Sequence, residues 1–232
     1  MEWNERVIEK IEWNGEIENK EAKALIALKI ADKVKDGDVI GIGSGSTSFL
    51  ATKAVANKIK EEGLNVLAIP TSYEIELLCQ NMGIPTTTLN NHKPVWGFDG
   101  ADEVAPEKWL IKGRGGALFR EKLIMSACEM TYILVDESKF VNKICEKFPI
   151  PIECTPEALH LVKEKVFKLG AASIELRLAK GKDGPIITES GNLILDAIFI
   201  DVQDDLEKRL KNIPGVIETG LFQDYKIEVI SN

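Results

Sequence analysis

Metal ligands, basic charge and long apolar runs are all scarce in this 232-residue chain, and each shortage closes off a class of function. There are two histidines, His92 and His160, and four cysteines, Cys79, Cys128, Cys145 and Cys154, none spaced as CxxC. That is not the pattern of a zinc site, so no metal is expected. Lys and Arg total 29 against 37 Asp and Glu, a net charge of -8. A nucleic-acid binder needs a basic face to release counterions, so no such partner is expected, although a local basic pocket for a small anion fits the balance. No stretch reaches the ~18 uninterrupted apolar residues that argue for a membrane span. The opening "MEWNERVIEKIEWNGEIENK" is charged throughout and lacks the apolar segment of a secretory signal. Scattered thiols without an export signal fit a reducing cytoplasm.

What is present is an ordinary globular composition, 44% hydrophobic and 28% charged, long enough for one large domain or a medium one with a small companion. Residues 1–19 carry "EWN" twice, at 2–4 and 12–14, and read as an N-terminal extension with no assigned role, a helix being one reading of it. From Asn19, a possible helix cap, strand and helix alternate with Gly-, Pro- or Ser-marked joints. Helices are expected over 20–35, 46–63, 72–83 and 116–129, with strands at 38–43, 64–70, 86–89, 95–98 and 131–136. This is the rhythm of a Rossmann-like, doubly wound, mostly parallel sheet. Three prolines within 149–156 change the rhythm. A helix (157–169), two strands (172–179 and 193–201) and a helix (203–212) follow, which predicts a smaller α+β, ferredoxin-like lobe over 147–213. The expected catalytic α/β domain is then 20–146 with 214–232. The strands in "GVIETGLF" and "KIEVI" fit either sheet.

"GIGSGSTS" (41–48) ends the first expected strand. A dinucleotide fingerprint needs G-x-G-x-x-G, but Ser46 stands at the third glycine, and no acid lies at a strand end ~20 residues on. A P-loop needs a lysine that is missing. Both nucleotide readings fail on spacing. Gly43 and Gly45 would let backbone N–H groups approach an anion, with Ser44, Ser46 and Thr47 adding hydroxyls at a helix start. A plain strand-to-helix turn is the competing reading, and the loop alone supports both.

Polar chemistry gathers in three more places. "FDGADE" holds Asp99 and Asp102 around Gly100, "LIKGRGGALFREK" holds Lys112 and Glu121, and "VDESKF" holds Lys139. Each has a bland reading: an Asx turn, a solvated helix face, a surface lysine. Taken together they place two Asp, two Lys and a Glu with the glycine loop at the carboxyl ends of strands in one parallel sheet, where open α/β sheets bind ligands.

These segments, in this order, resemble type A ribose-5-phosphate isomerase. The resemblance rests on "GIGSGSTS" (41–48), "GFDGADEV" (97–104), "LIKGRGGALFREK" (110–122) and "VDESKFV" (135–141), extended by "FPIPIE" (148–153), "GNLILD" (191–196) and "IPGVIETGLF" (213–222). It implies reversible conversion of ribose 5-phosphate to ribulose 5-phosphate, in the non-oxidative pentose phosphate pathway, without metal or organic cofactor. Segment for segment, Glu121 falls on the family's catalytic base, and Asp99, Asp102 and Lys112 on its active-site polar groups. Ser44, Gly45, Ser46, Thr47 and Lys139 fall on substrate-contacting positions. Lys23, Gly100, Ala101, Gly113, Arg114 and Gly115 complete the implied substrate contacts. Arg114 interrupts the family's glycine run, Phe119 replaces a common small hydroxylated residue, and the N-terminal extension is additional. A homodimer or homotetramer is expected.

The chemistry is coherent with the residues. A carboxylate can carry a proton between adjacent carbons through an enediolate, and Arg120 and Lys122 beside Glu121 are expected to keep it ionised. Lys112 can stabilise the developing oxyanion. The alternatives are a non-catalytic sugar-phosphate sensor of the same fold, and a phosphosugar lactonase or CoA transferase of similar architecture.

Overall fold

The computed structural model describes residues 11–232. In chain order its first elements are α1 (Lys20–Ala31), β1 (Val39–Ile42), α2 (Ser46–Glu62), β2 (Leu67–Pro70), α3 (Tyr73–Met82) and β3 (Trp96–Asp99). Then come β4 (Glu103–Val104), β5 (Leu110–Ile111), α4 (Leu118–Ala127), β6 (Thr131–Leu134), β7 (Ile150–Cys154), α5 (Leu159–Lys168) and β8 (Ala171–Leu176). β9 (Leu193–Phe199), α6 (Leu206–Lys211), β10 (Val216–Thr219), β11 (Leu221–Phe222) and β12 (Ile227–Ile230) complete the chain. Among the described residues no helix is long and apolar enough to cross a membrane.

The chain divides into two compact units. The first takes in residues up to Gly100, Ile124–Ser138 and Lys226–Asn232; the second is Ala101–Leu123 with Lys139–Tyr225. The expected lobe, 147–213, lies inside the second unit, which also holds 101–123, 139–146 and 214–225.

The first unit is a parallel sheet in the order β12-β6-β3-β1-β2. The strand expected over 86–89 shrinks to one bridge, Thr86 to Ala68, on the far side of β2. Counted as a strand, that bridge gives the order 3-2-1-4-5-6 of Rossmann folds, which reverses between β1 and β3. "KIEVI" returns here as β12. Ile26, Ile30, Ile40, Ile42, Val55, Leu78 and Phe98 are among its core residues.

Local chemistry sets the helix ends. Ser72 caps α3 by accepting from the Ile75 N–H (3.2 Å), and Gly63 and Gly83 close α2 and α3 in the left-handed region. Asn19 does not cap α1: it is itself left-handed (φ 52°) with no capping bond. α1 stops at Ala31 rather than 35, because Lys33 and Val34 bond back three residues and tighten the last turn. The first "EWN" lies outside the described residues. Residues 11–19 form bends and turns, not helix, and Trp13 packs tilted against Phe49 with ring centroids 5.6 Å apart, so this part of the extension belongs to the first core.

The second unit contains a four-stranded antiparallel sheet, β10-β7-β9-β8. With α5 and α6 it follows the β-α-β-β-α-β order of ferredoxin-like folds. A three-stranded antiparallel sheet, β11-β5-β4, accompanies it. "GVIETGLF" is therefore split at Gly220, one half in each sheet. A side chain there would meet the Lys112 carbonyl at 2.2 Å.

Candidate active site

In the first unit the loop after β1 lies where the strand order reverses. Its alternating glycines have three different causes. A Cβ on Gly41 would strike Ile124 of α4 at 2.5 Å, so this glycine lets the helix pack on the sheet. One on Gly43 would sit 2.1 Å from the Asp99 carboxyl carbon, and Gly45 has φ +90°. Asp99, at the end of β3, is buried and accepts from the Ser44 N–H (3.1 Å) and the Gly100 N–H (2.7 Å). The Ser44 hydroxyl meets Thr71 (2.8 Å) and Ser72 (3.2 Å) at the end of β2.

Lys23, buried on α1, donates to the Ser46 hydroxyl (3.1 Å) and lies 3.7 Å from Asp136. Asn19 and the backbone and hydroxyl of Ser138 also donate to Asp136. Burial pushes this carboxyl up, but the Ser138 bonds, the Lys23 charge and Asn19 outweigh it and leave its pKa below the ordinary value. Thr47 is buried in the first turn of α2. Lys23, Ser44, Gly45, Ser46, Thr47, Asp99 and Gly100 thus belong to one set.

The second unit holds the other set. The sequence reads Asp102, Lys112 and Glu121 as ends of strands in the parallel sheet; the elements that carry them are the β4–β5 hairpin and α4. Asp102 and Lys112 flank the open end of the β4–β5 hairpin, where the Asp102 N–H donates to Ile111 O (2.8 Å). Glu121 lies early in α4. Two-residue strands are too short for sequence periodicity to reveal. Lys112 Nζ lies 3.4 Å from Glu121 Oε2, with the two side chains 2% and 6% exposed. The Arg114 N–H donates to Asp102 (3.3 Å). Arg114 and Lys139 each stand 5.7 Å from the Phe148 ring. Ala101 precedes Asp102, and Gly113 (φ +91°) and Gly115 lie in the bend after Lys112.

The cations beside Glu121 in sequence are engaged elsewhere. Arg120 pairs with Glu189 (2.7 Å), and Lys122 with Glu207 (2.7 Å) and Glu218 (3.2 Å). Successive helix residues do not share a face, and the Lys112 ammonium lies at the Glu121 carboxylate. Glu103, the third acid of "DGADE", is fully buried and accepts four backbone N–H groups, from Cys145, Glu146, Lys147 and Phe148. Its duty is to hold that turn.

Sequence reading missed Thr71, Ser72, Asp136, Arg177 and Asp196. Ser72 carried a signal, a cap residue just after a strand. Asp136 lay inside a motif quoted for Lys139. Arg177 donates to the carbonyls of Gly113 and Arg114 across more than sixty residues of chain, and nothing local marks it.

The family profile described as "Ribose 5-phosphate isomerase A (phosphoriboisomerase A)" matches residues 67–232. Ribose-5-phosphate isomerase A of Methanothermobacter thermautotrophicus is 44% identical over 202 residues, covering 86% of this chain and 88% of the relative. The solved ribose 5-phosphate isomerase A of Methanocaldococcus jannaschii superposes with a TM-score of 0.87 at 42% identity, over 91% of this chain and 95% of that one. A D-ribose-5-phosphate isomerase in complex with phospho-erythronic acid gives 0.87 at 40% identity, over 90% and 94%.

Proposed function

We propose a catalytic reading of these groups from one premise: the chain belongs to the ribose 5-phosphate isomerase A family. It is an aldose–ketose isomerase that interconverts ribose 5-phosphate and ribulose 5-phosphate, and the non-catalytic sensor reading is not favoured. The observation that carries the assignment of roles is the buried Lys112 ammonium beside the Glu121 carboxylate.

In this reading Glu121 and Lys112 carry the chemistry, and the loop after β1 with Lys23 binds the phosphate. Glu121 takes the proton from C2 of the open-chain aldose and returns it to C1. As the proton leaves, negative charge develops on the oxygen at C1, and Lys112 stabilises it. A second proton then moves from the C2 oxygen to the C1 oxygen, which completes the ketose. Asp99 and Asp102 hold sugar hydroxyls and assist ring opening, since only the open chain isomerises. Ser44 to Thr47 and Lys23 hold the phosphate, which fixes the carbon chain against Glu121 and turns binding energy into orientation. Gly100, Ala101, Gly113, Arg114, Gly115 and Lys139 supply the remaining substrate contacts. A relative's complex with phospho-erythronic acid supports this picture, because that ligand joins a phosphate to a carboxylate charged like the enediolate.

The test is turnover of ribose 5-phosphate by the purified protein in the presence of EDTA, with Glu121→Gln compared. The expected loss in the variant is about 10²–10⁴-fold in kcat. Undiminished turnover would remove Glu121 as the base, and loss of wild-type activity in EDTA would point to a metal instead.

A cytoplasmic location and a homodimer or homotetramer complete the proposal. Four free cysteines support the first. Exposed Leu178, Ile187, Ile198 and Ile200 in the second unit support the second. Light scattering at micromolar protein would test the oligomer, and a monomer would refute it.

A further inference from the structure

The bend between Lys112 and α4 is held from behind. Arg177, just past β8, sends one guanidinium nitrogen to two successive carbonyls, Gly113 O and Arg114 O, both at 2.8 Å. Its other two nitrogens engage Asp196 of β9, with Nε 2.8 Å from Oδ2. This pair is largely buried, and the planar fork of the guanidinium makes it bidentate. One cation thus fixes two adjacent peptide planes from the sheet side.

The consequence follows from peptide geometry. No peptide bond among the described residues is cis, and in a trans peptide C=O and N–H point in opposite directions. With the Gly113 carbonyl on Arg177, the Arg114 N–H of the same peptide points away from it, and it meets Asp102 at 3.3 Å. With the Arg114 carbonyl on the same nitrogen, the Gly115 N–H leaves on the side away from Arg177. Among the described residues that N–H has no acceptor. Gly113 (φ +91°) and Gly116 (φ +89°) supply the left-handed turns the path needs, and the Gly116 N–H closes it on Gly113 O (3.0 Å).

We propose that Arg177, locked by Asp196, is a positioning residue for the isomerase. It fixes the 113–116 bend so that Asp102 keeps its place and the Gly115 N–H stands ready, alongside Lys112, as a donor to the oxygen that becomes negative in the enediolate. This rests on the isomerase reading above. Arg177 touches neither substrate nor reacting atoms; it acts through the backbone, and its effect therefore falls on kcat and not on phosphate binding.

The experiment is steady-state kinetics of Arg177→Ala and Asp196→Asn on ribose 5-phosphate, with and without millimolar guanidinium. Misplacing a donor by about 1 Å predicts a fall in kcat of ~10²-fold for Arg177→Ala. KM should rise by much less than kcat falls, since the phosphate contacts of Ser44 to Thr47 and Lys23 are untouched although the bend's own substrate contacts loosen. Guanidinium should restore at least about tenfold of the lost kcat in Arg177→Ala and nothing in the wild type. Asp196→Asn, which keeps the arginine but loosens it, should fall less, and it serves if Arg177→Ala does not fold. Unchanged kcat in both variants would overturn the proposal, as would a loss expressed in KM alone or one that guanidinium does not relieve. A wild-type chain inactive on ribose 5-phosphate would overturn the isomerase reading instead. The clamp would then be judged by hydrogen exchange of the Gly116 amide, which Arg177→Ala should accelerate.

Discussion

Glu121 and Lys122 sit side by side in α4, and both are buried ionisable groups, yet their surroundings differ in kind. Lys122 is enclosed by partners that serve only the fold: Glu207, Glu218, the Leu221 carbonyl (2.7 Å), and the rings of Phe222 (4.4 Å) and Tyr225 (5.9 Å). Burial lowers its pKa, and the two carboxylates oppose that shift. Glu121 instead has the Lys112 ammonium beside it, at 3.4 Å, and Lys112 follows the short β4–β5 hairpin. The lesson is that burial of charge alone does not mark a catalytic group. What separates the two is the kind of partner: carboxylates, a carbonyl and rings around Lys122, and beside Glu121 an ammonium that the proposed reaction uses.

This contrast can be broken at several points. The largest effect is expected from Lys122→Met, which strands Glu207 and Glu218 without their shared cation. It should cost about 3–5 kcal/mol of stability, read as a fall in the denaturant midpoint. Replacing both carboxylates by glutamine as well should recover much of that loss. Lys112→Met removes the proposed oxyanion donor and should lower kcat by about 10²–10³-fold; it also strips the buried Glu121 carboxylate of this ammonium, so the midpoint should fall too. Gly43→Ala should cost about 1–3 kcal/mol, because its Cβ would overlap the Asp99 carboxyl, and kcat should fall with it as Asp99 is displaced.

The smallest effect is electrostatic. Asp136 has a folded pKa below its ordinary 3.8, so the folded protein binds its proton less readily than the unfolded chain does. Its contribution to stability is therefore complete above about pH 4 and is lost as pH falls through the lower, folded value. Asp136→Asn should flatten the stability–pH curve in that acid window only. It should also raise KM for ribose 5-phosphate, because Lys23 loses the partner that holds it at Ser46.

The sequence made some of this legible and hid the rest for physical reasons. The parallel sheet was readable because its strands and helices are long enough for periodicity and end in Gly63, Ser72 and Gly83. The lobe was readable because three prolines mark its approach. The β4–β5 hairpin was not, since strands of two residues carry no period, so the element that carries Asp102 and Lys112 was hidden. Of the glycines in "GIGSGSTS", only Gly45 needs its backbone freedom. Gly43 yields to Asp99, fifty-six residues on, and Gly41 to the packing of α4. Sequence proximity also suggested Arg120 and Lys122 as guardians of Glu121, whereas helix geometry turns them onto other carboxylates. The Arg177–Asp196 clamp joins residues that only the folded lobe brings to the 113–116 bend.

The most direct measurement is kcat and the denaturant midpoint of Glu121→Gln and Lys122→Met side by side. Glu121→Gln should lose turnover by at least about 10²-fold in protein that is still folded, while Lys122→Met should lose midpoint and keep, where it remains folded, turnover within about tenfold. Full turnover in Glu121→Gln, or abolished turnover in a Lys122→Met protein as stable as the wild type, would contradict the account.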